Sequence, residues 1–512
     1  MNRRNRTLWS SATLVAALAG APAFAADFNG DGFDDVAITS QRGEMDAYYG
    51  GTVYVLYGSA SGLMTVGNTT LKWTDFPIDG PNQPYFGAAL AAGDFDGDGF
   101  DDLAIGAELA PVDGHDSAGL VLVVPGSATG IDKTRFRIWT RDTPGVRQKI
   151  GDPVNGTAEC FGWSLAAGNF DGDRFDDLAI SVFHNAKDAS GAGGVHVLYG
   201  SKKGLSAKHD QFFTQDTKKM KDAAEANDFF GRSLRAGDLN GDGFDDLVAV
   251  VLGETSADGP TAGAVAVMFG SNQGLSAKKN RLLTAHQLGD DAPGMSIPFC
   301  SGVEVSDLDR DGKSELILGL SDAANGEGRV AILHSIGKDI DVANAVTFSE
   351  HVIDPSETNE AFDQLGASLA TGDFDHDGFV DLVAGAPIEA IGGINQTGLV
   401  QVLRGNVLGF ATPGTTLSQN STGVPDTNES NDQFGATLST GDFNGDGFTD
   451  LLIGLPQQAV PASLSLVPPL TSAGRVIVLY GAEGGLGTGA SATFTEPGGA
   501  YEYYMFGWVV TH

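Results

Sequence analysis

The chain has 512 residues, with 66 Asp and Glu against 30 Lys and Arg, and a formal net charge of −36 at pH 7. No basic stripe is available to meet phosphates, which argues against a nucleic acid as partner; the short pairs Lys202-Lys203, Lys218-Lys219 and Lys278-Lys279 read as solvated loop charge. Two cysteines are too few for a disulfide scaffold.

Residues 1–25 read as a signal peptide. Arg3, Arg4 and Arg6 form a charged start, an apolar stretch runs through Leu14, and Ala23-Phe24-Ala25 supplies an A-x-A cleavage site. The segment has no Cys for a lipoprotein anchor, and no later stretch reaches the ~18–20 apolar residues of a membrane span. A periplasmic or extracellular product is expected, with residues 26–512 as one repeat domain. That domain opens on a nine-residue acidic loop at Asp27, which returns at Asp94, Asn169, Asp238, Asp307, Asp373 and Asp442. Spacings of 66 to 75 residues between loop starts mark a repeat fold.

Oxygens at loop positions 1, 3 and 5 can surround one point. Glycine at position 6 permits a turn with positive φ. Position 7 then offers its carbonyl, and an acid at position 9 can close the shell. This is the all-oxygen recipe for Ca²⁺. The first loop supplies Asp27, Asn29, Asp31, the Phe33 carbonyl and Asp35; the second supplies Asp94, Asp96, Asp98, Phe100 and Asp102. The third has Asn169, Asp171, Asp173, Phe175 and Asp177, and the fourth has Asp238, Asn240, Asp242, Phe244 and Asp246. The fifth offers Asp307, Asp309, Asp311, Lys313 and Glu315, and the sixth Asp373, Asp375, Asp377, Phe379 and Asp381. Asp442, Asn444, Asp446, Phe448 and Asp450 complete the set. A metal-free acidic turn is the plain alternative. Against it, two carboxylates ~4 Å apart repel by about 4 kcal/mol at an effective dielectric near 20. Up to seven Ca²⁺ are expected. The weakest should be at the third loop, where Arg174 replaces the glycine, and at the fifth, where Arg310 and Lys313 intrude. The loops hold 28 of the acidic residues, so full occupancy would return +14 of the charge.

Around each loop lie four strand signals. Phe86-Gly87, Phe161-Gly162, Phe230-Gly231, Leu365-Gly366 and Phe434-Gly435 open the strand before the loop. Apolar runs from Asp102, Asp246 and Asp381 follow it. Alternating segments such as 51–58, 194–200 and 474–481 give a third strand, and segments after Gly62-Leu63, Gly204-Leu205 and Gly274-Leu275 give a fourth. Four strands per unit around a ring make a propeller blade. Residues 506–512 look like a first strand with no loop after it, while the segment from Asp27 is a loop with no first strand before it. Joining them completes a blade and removes exposed sheet edges. The expected fold is therefore all-β: a seven-bladed β-propeller of four-stranded antiparallel blades, closed by pairing of the N- and C-terminal segments. An open solenoid, the alternative, would leave two uncapped ends.

The order Phe-Gly, acidic loop, Asp-Leu and Gly385-Ala386-Pro387 resembles the FG-GAP repeat of integrin α-subunit propellers, in a bacterial secreted form. The resemblance covers essentially all of residues 26–512, although the literal Gly-Ala-Pro occurs once and Phe299-Cys300 replaces Phe-Gly in the fifth repeat. It implies calcium loops that brace one face, and a protein or glycan ligand on the opposite face. The segments 107–118, 182–193, 253–262, 387–397 and 455–473 are the candidate contact surface. Integrin legs, a membrane span and an inserted adhesion domain are not evident, and Arg42-Gly43-Glu44 is not the adhesion tripeptide.

The favoured reading is a monomeric, non-catalytic, calcium-stabilised adhesion or interaction module. Glycan recognition is the alternative, with Trp73, Trp139, Tyr501, Tyr503 and Tyr504 as stacking candidates whose plainer role is to fill blade interfaces. An enzyme ranks third, since the nine His form no HExxH and no GxSxG elbow is present. His376 falls at a non-ligand loop position as a solvated side chain. Cys160 and Cys300 lie two repeats apart and read as buried free thiols.

Overall fold

The computed structural model describes residues 26–40, 51–78, 85–147, 150, 159–183, 190–254, 263–284, 286–288, 300–321, 323–337, 339–357, 359–407, 409–457, 474–487, 489–495 and 506–510. They form seven four-stranded antiparallel sheets, the blades of a β-propeller. Blade 2 is typical. Leu90–Gly93 precedes the acidic loop, and Asp102–Ala107, Leu120–Val124 and Arg137–Trp139 follow in spatial order. First strands of neighbouring blades touch one another and so line the centre. Among the described residues, helix is confined to single turns such as Ala323–Gly326 and Glu350–Ile353.

Closure is as expected. In blade 1 the strand Phe506–Val510 pairs antiparallel with Val36–Ser40, placing Ile38 opposite Val510 and Thr39 opposite Val509. Thr52–Leu56 and Thr69–Lys72 complete that sheet.

The apolar core lies between blades rather than within them. It divides into seven clusters, each shared by two adjacent blades. One joins Val55 and Tyr57 of blade 1 to Leu103 and Leu122 of blade 2, and another joins Leu452 and Val478 of blade 7 to Ile38 and Leu56 of blade 1. Both faces of each sheet are therefore covered. This explains why central strands such as Thr52–Leu56 and Leu120–Val124 are buried at every position.

The Phe-Gly pair has a mechanical reason. Phe86, Phe161, Phe230 and Phe434 are at most 1% exposed, wedged between blades. Their backbones meet the glycine that opens the third strand of the preceding repeat: Gly119 bridges Phe161, and Gly193 bridges Phe230. A Cβ on Gly119 would stand 2.2 Å from the Phe161 carbonyl oxygen, at a φ of +81° that already favours glycine. In blades 2, 6 and 7 the pair precedes the first strand. In blades 3 and 4 it is part of the strand, with a register shift after it. Phe299 lies outside the described residues, while Cys300 is buried.

The Gly-Leu turns also serve the joints. The Tyr57 hydroxyl of blade 1 accepts the Ile131 N–H of blade 2 at 2.9 Å, and Tyr199 accepts the Leu275 N–H at 3.1 Å. A Cβ on Gly130 or Gly274 would strike those tyrosines. Pro125 stands where a tyrosine would reach Gly204, and there the space is open.

Candidate metal centres

Six of the seven acidic loops connect the first and second strands of a blade, and the loop at Asp27 leads into the second strand of blade 1, so alternating strand direction puts them on one face. The second-to-third and blade-to-blade connections emerge on the other. Within a loop the acids first organise their own backbone. Asp27 Oδ1 accepts the Gly30 and Asp31 N–H groups at 2.7 and 3.1 Å, and Oδ2 accepts Gly32 N–H at 2.9 Å. Asn29 accepts from Asp31, and Asp31 from Phe33. The second, fourth and seventh loops repeat the bonds to position 1. Position 6 has the expected positive φ in Gly32, Gly99, Gly243, Gly312, Gly378 and Gly447. Arg174, at that position in the third loop, stays outside the positive-φ region, and Asn169 Nδ2 bonds the Asp173 carbonyl instead.

The geometry accommodates a hard cation. Asp94, Asp96 and Asp98 bring oxygens within 4.8 Å of one another, as do Asp307, Asp309 and Asp311, and Asp373, Asp375 and Asp377. Three proposed ligand oxygens, Asn169 Oδ1, Asn240 Oδ1 and Asp373 Oδ1, are buried with no hydrogen-bond partner. An oxygen-only donor set with orphaned acceptors fits Ca²⁺.

Among the proposed ligand positions, position 9 is the most buried. Asp177, Asp246 and Asp450 are fully enclosed, and Asp35, Asp102, Glu315 and Asp381 nearly so. Asp35 Oδ2 accepts Phe28 N–H at 2.9 Å and Oδ1 accepts Gly58 N–H at 2.9 Å, tying the loop to the end of the third strand. The pattern recurs at Asp177, Asp381 and Asp450. Burial, reinforced by the neighbouring acids, raises the Asp35, Asp102, Asp177, Asp246 and Asp450 carboxyls to about 8.

Position 8, not singled out in the sequence, proves to link consecutive loops. Asp101 N–H donates to the Asp27 carbonyl at 3.2 Å, and Asp101 Oδ2 accepts Asp27 N–H at 2.8 Å. Asp176 joins Asp94 in the same way, Asp245 joins Asn169, and Asp34 joins Asp442 to close the ring. Thr449 repeats both bonds with Asp373, whereas Val380 has no side-chain oxygen to offer. The Asp-Asp doublets at positions 8 and 9 were the available signal. Position 7 braces as well: the Phe100, Phe175 and Phe244 rings lie over Gly30, Gly97 and Gly172 of the preceding loop.

Basic side chains stand beside the fifth loop, as the sequence suggests, and also beside the sixth, where it does not. In the fifth loop Lys313 Nζ is 2.7 Å from Asp311, and His334 Nδ1 is 3.3 Å from Glu315. The sixth loop looks regular in sequence, yet Arg404 lies 3.1 Å from Asp375 and Arg310 3.7 Å from Asp373. His376 is exposed, as expected.

Trp73 and Trp139 are buried in the inter-blade core and offer no stacking surface, while Tyr501, Tyr503 and Tyr504 lie outside the described residues. A half-buried stack missed in the sequence runs Trp163, Phe183, Phe229, with ring centroids 4.1 and 4.5 Å apart and Arg232 over the first two rings. Cys160 and Cys300 are buried and are not joined in a disulfide. Of the candidate contact segments, 107–118 and 387–397 are described, while 184–189, 255–262 and 458–473 fall outside, as do residues 1–25.

Six segments match the FG-GAP repeat: residues 19–56, 86–124, 161–198, 230–268, 365–403 and 434–479. Integrin alpha-PS2 of Drosophila melanogaster is 30% identical over 238 residues, which is 46% of this chain and 15% of that protein. Phosphatidylinositol-glycan-specific phospholipase D of Rattus norvegicus is 34% identical over 145 residues, 28% of this chain and 16% of that protein. The matched stretches thus span about a sixth of these relatives' length. Among solved structures, a Pseudomonas aeruginosa periplasmic gluconolactonase aligns over 92% of this chain and 98% of its own, with 13% identity and a TM-score of 0.41.

Proposed function

The chain is an FG-GAP repeat β-propeller resembling those of integrin α-subunits, and from that premise we propose that it is an exported, calcium-stabilised, non-catalytic adhesion or interaction module. The observation that carries the reading is the division of labour between the two faces. One face holds seven oxygen-lined loops linked blade to blade, and the other holds connections that differ from repeat to repeat. Ca²⁺ on the first face would neutralise the converging carboxylates and stiffen the ring. The second face would then hold its varied loops in fixed relation for a protein or glycan partner. In the loops, the position 1, 3, 5 and 9 oxygens would hold the ion. The cations beside the fifth and sixth loops, and the altered turn of the third, would weaken those three sites.

Extracellular modules often bind Ca²⁺ with a Kd of ~10⁻⁴–10⁻³ M. One site held at a hundred times its Kd adds about 2.7 kcal/mol. Melting the full chain in chelator and in Ca²⁺ tests the metal half of the proposal, and a curve that chelator leaves unchanged would reject it. The partner half is tested by capture from surface extracts. Substitutions within 107–118 and 387–397 should reduce capture, and substitutions at exposed loop residues such as His376 should not. The reverse pattern would place the contact on the wrong face.

A further inference from the structure

A second kind of acidic cluster lies on the face opposite the repeated loops, at the joint of blades 5 and 6. Glu350 follows the fourth strand of blade 5, Glu360 and Asp363 belong to the connection into blade 6, and Glu389 follows the second strand of blade 6. Their oxygens lie within 4.8 Å of one another. Glu350 is 1% exposed, yet neither of its carboxylate oxygens has a hydrogen-bond partner, and Glu389 Oε2 also lacks one. The charged groups that act on Glu350 are all acidic: Glu389, Asp363, Glu357 and Glu360.

Three of the other joints, those after blades 2, 3 and 6, carry a donor or a cation at this place. Two residues beyond the fourth strand, blade 3 has Gln215, whose Nε2 donates to Glu254 Oε2 at 2.7 Å. Blade 6 has Gln419, hydrogen-bonded to Asp432, and blade 2 has Arg141, 2.8 Å from Glu159. Each supplies a donor or a cation to the buried acid beside it. Glu350 replaces that donor with another acceptor. A buried carboxylate left without a donor or counter-charge is strongly unfavourable, so this joint lacks the donor or cation that those three joints supply.

We propose that a hard divalent cation, Ca²⁺ in the first instance, binds between Glu350, Asp363 and Glu389, with Glu360 at its solvent edge. Two oxygens bound to one Ca²⁺ stand at most about 4.6–5.2 Å apart, given bonds of 2.3–2.6 Å, and the cluster's oxygens stay within 4.8 Å of one another. The ion joins the exit of blade 5 to the entry of blade 6. On the other face the same joint has Val380 in place of the linking acid. The site is separate from the repeated loops and uses none of their residues.

The test compares full-length wild type, Glu350→Gln and Asp98→Ala by native mass spectrometry and thermal melting, each in Ca²⁺ and in chelator. Glu350→Gln restores the donor found at the sibling joints and is expected to fold. It should bind one Ca²⁺ fewer than wild type and melt higher than wild type in chelator, an advantage that shrinks or reverses in Ca²⁺. An unchanged ion count sinks the proposal. So does a gain of equal size with and without Ca²⁺, which would mean that the acids merely share protons. If Glu350→Gln fails to fold, Glu389→Gln takes its place with the same expectations. Asp98→Ala should lose an ion from the second loop. Loss there but not at Glu350 rejects this site alone, and the opposite result rejects the loop reading alone.

Discussion

At the residue scale, the eighth position of four loops shows how one carboxylate serves two blades. Asp101 presents an N–H and a carboxylate oxygen to the backbone carbonyl and N–H of Asp27, more than one repeat away in sequence. Substituting Asp101 by Ala leaves the part-buried Asp27 N–H without an acceptor, which costs about 1–3 kcal/mol. Urea unfolding of Asp101→Ala should show a loss in that range, in chelator as well as in Ca²⁺, since Asp101 is not a proposed ligand. Glu108 carries a pH signature. Burial raises its carboxyl from 4.5 to about 8, with Arg232 pulling the other way. A raised folded-state pKa means that the native state holds the proton more tightly. Its contribution is therefore complete below about pH 4.5 and is lost as pH rises towards 8. Glu108→Gln should remove a decline of up to about 1.4 kcal/mol per pH unit across that window. Parallel stability curves for the two proteins would refute this.

At the scale of elements, the joint between blades matters more than the blade. The third strand begins on a glycine because the next Phe-Gly backbone occupies the space a side chain would need. Gly119→Ala should cost roughly 3 kcal/mol through a clash with Phe161 and an imposed positive φ, read as a lowered urea midpoint. An unshifted midpoint would mean that the joint can open without penalty. Gly204→Ala has no clash to make and should cost much less, limited to the backbone strain of its φ of +77°. Strand positions were legible in the sequence because turn residues and apolar runs are local. The start of the first strand was not, since Phe86 is held by a neighbouring blade rather than by its own sheet. Trp73 and Trp139 were open between surface and core for the same reason.

For the whole molecule, the ring has no free sheet edge where the chain segments meet. Truncation before Phe506 would uncover the edge of Val36–Ser40, a ready template for pairing with another chain. The truncated protein should lose solubility or elute as oligomers in size-exclusion chromatography, whereas a truncated chain that stays monomeric and melts like the full one would show closure to be dispensable. In chelator, the full chain should melt well below its Ca²⁺-loaded form, because up to seven clusters of carboxylates would lose their counter-charge together.

Periodicity determined the architecture from the sequence alone. The loops repeat, each period holds four strands, and the broken units at 26–40 and 506–510 complement each other, so seven blades and their closure followed by counting. The ligand-type residues were legible too, because 1, 3, 5 and 9 are spacings within one turn of chain. Contacts made across a joint have no local pattern and were decided only in three dimensions: Asp34 on Asp442, Arg404 beside a sixth loop that looked regular, and Glu350 facing Asp363 and Glu389. A repeat sequence specifies its unit through neighbours in the chain, but charge balance and burial are set by neighbours in space.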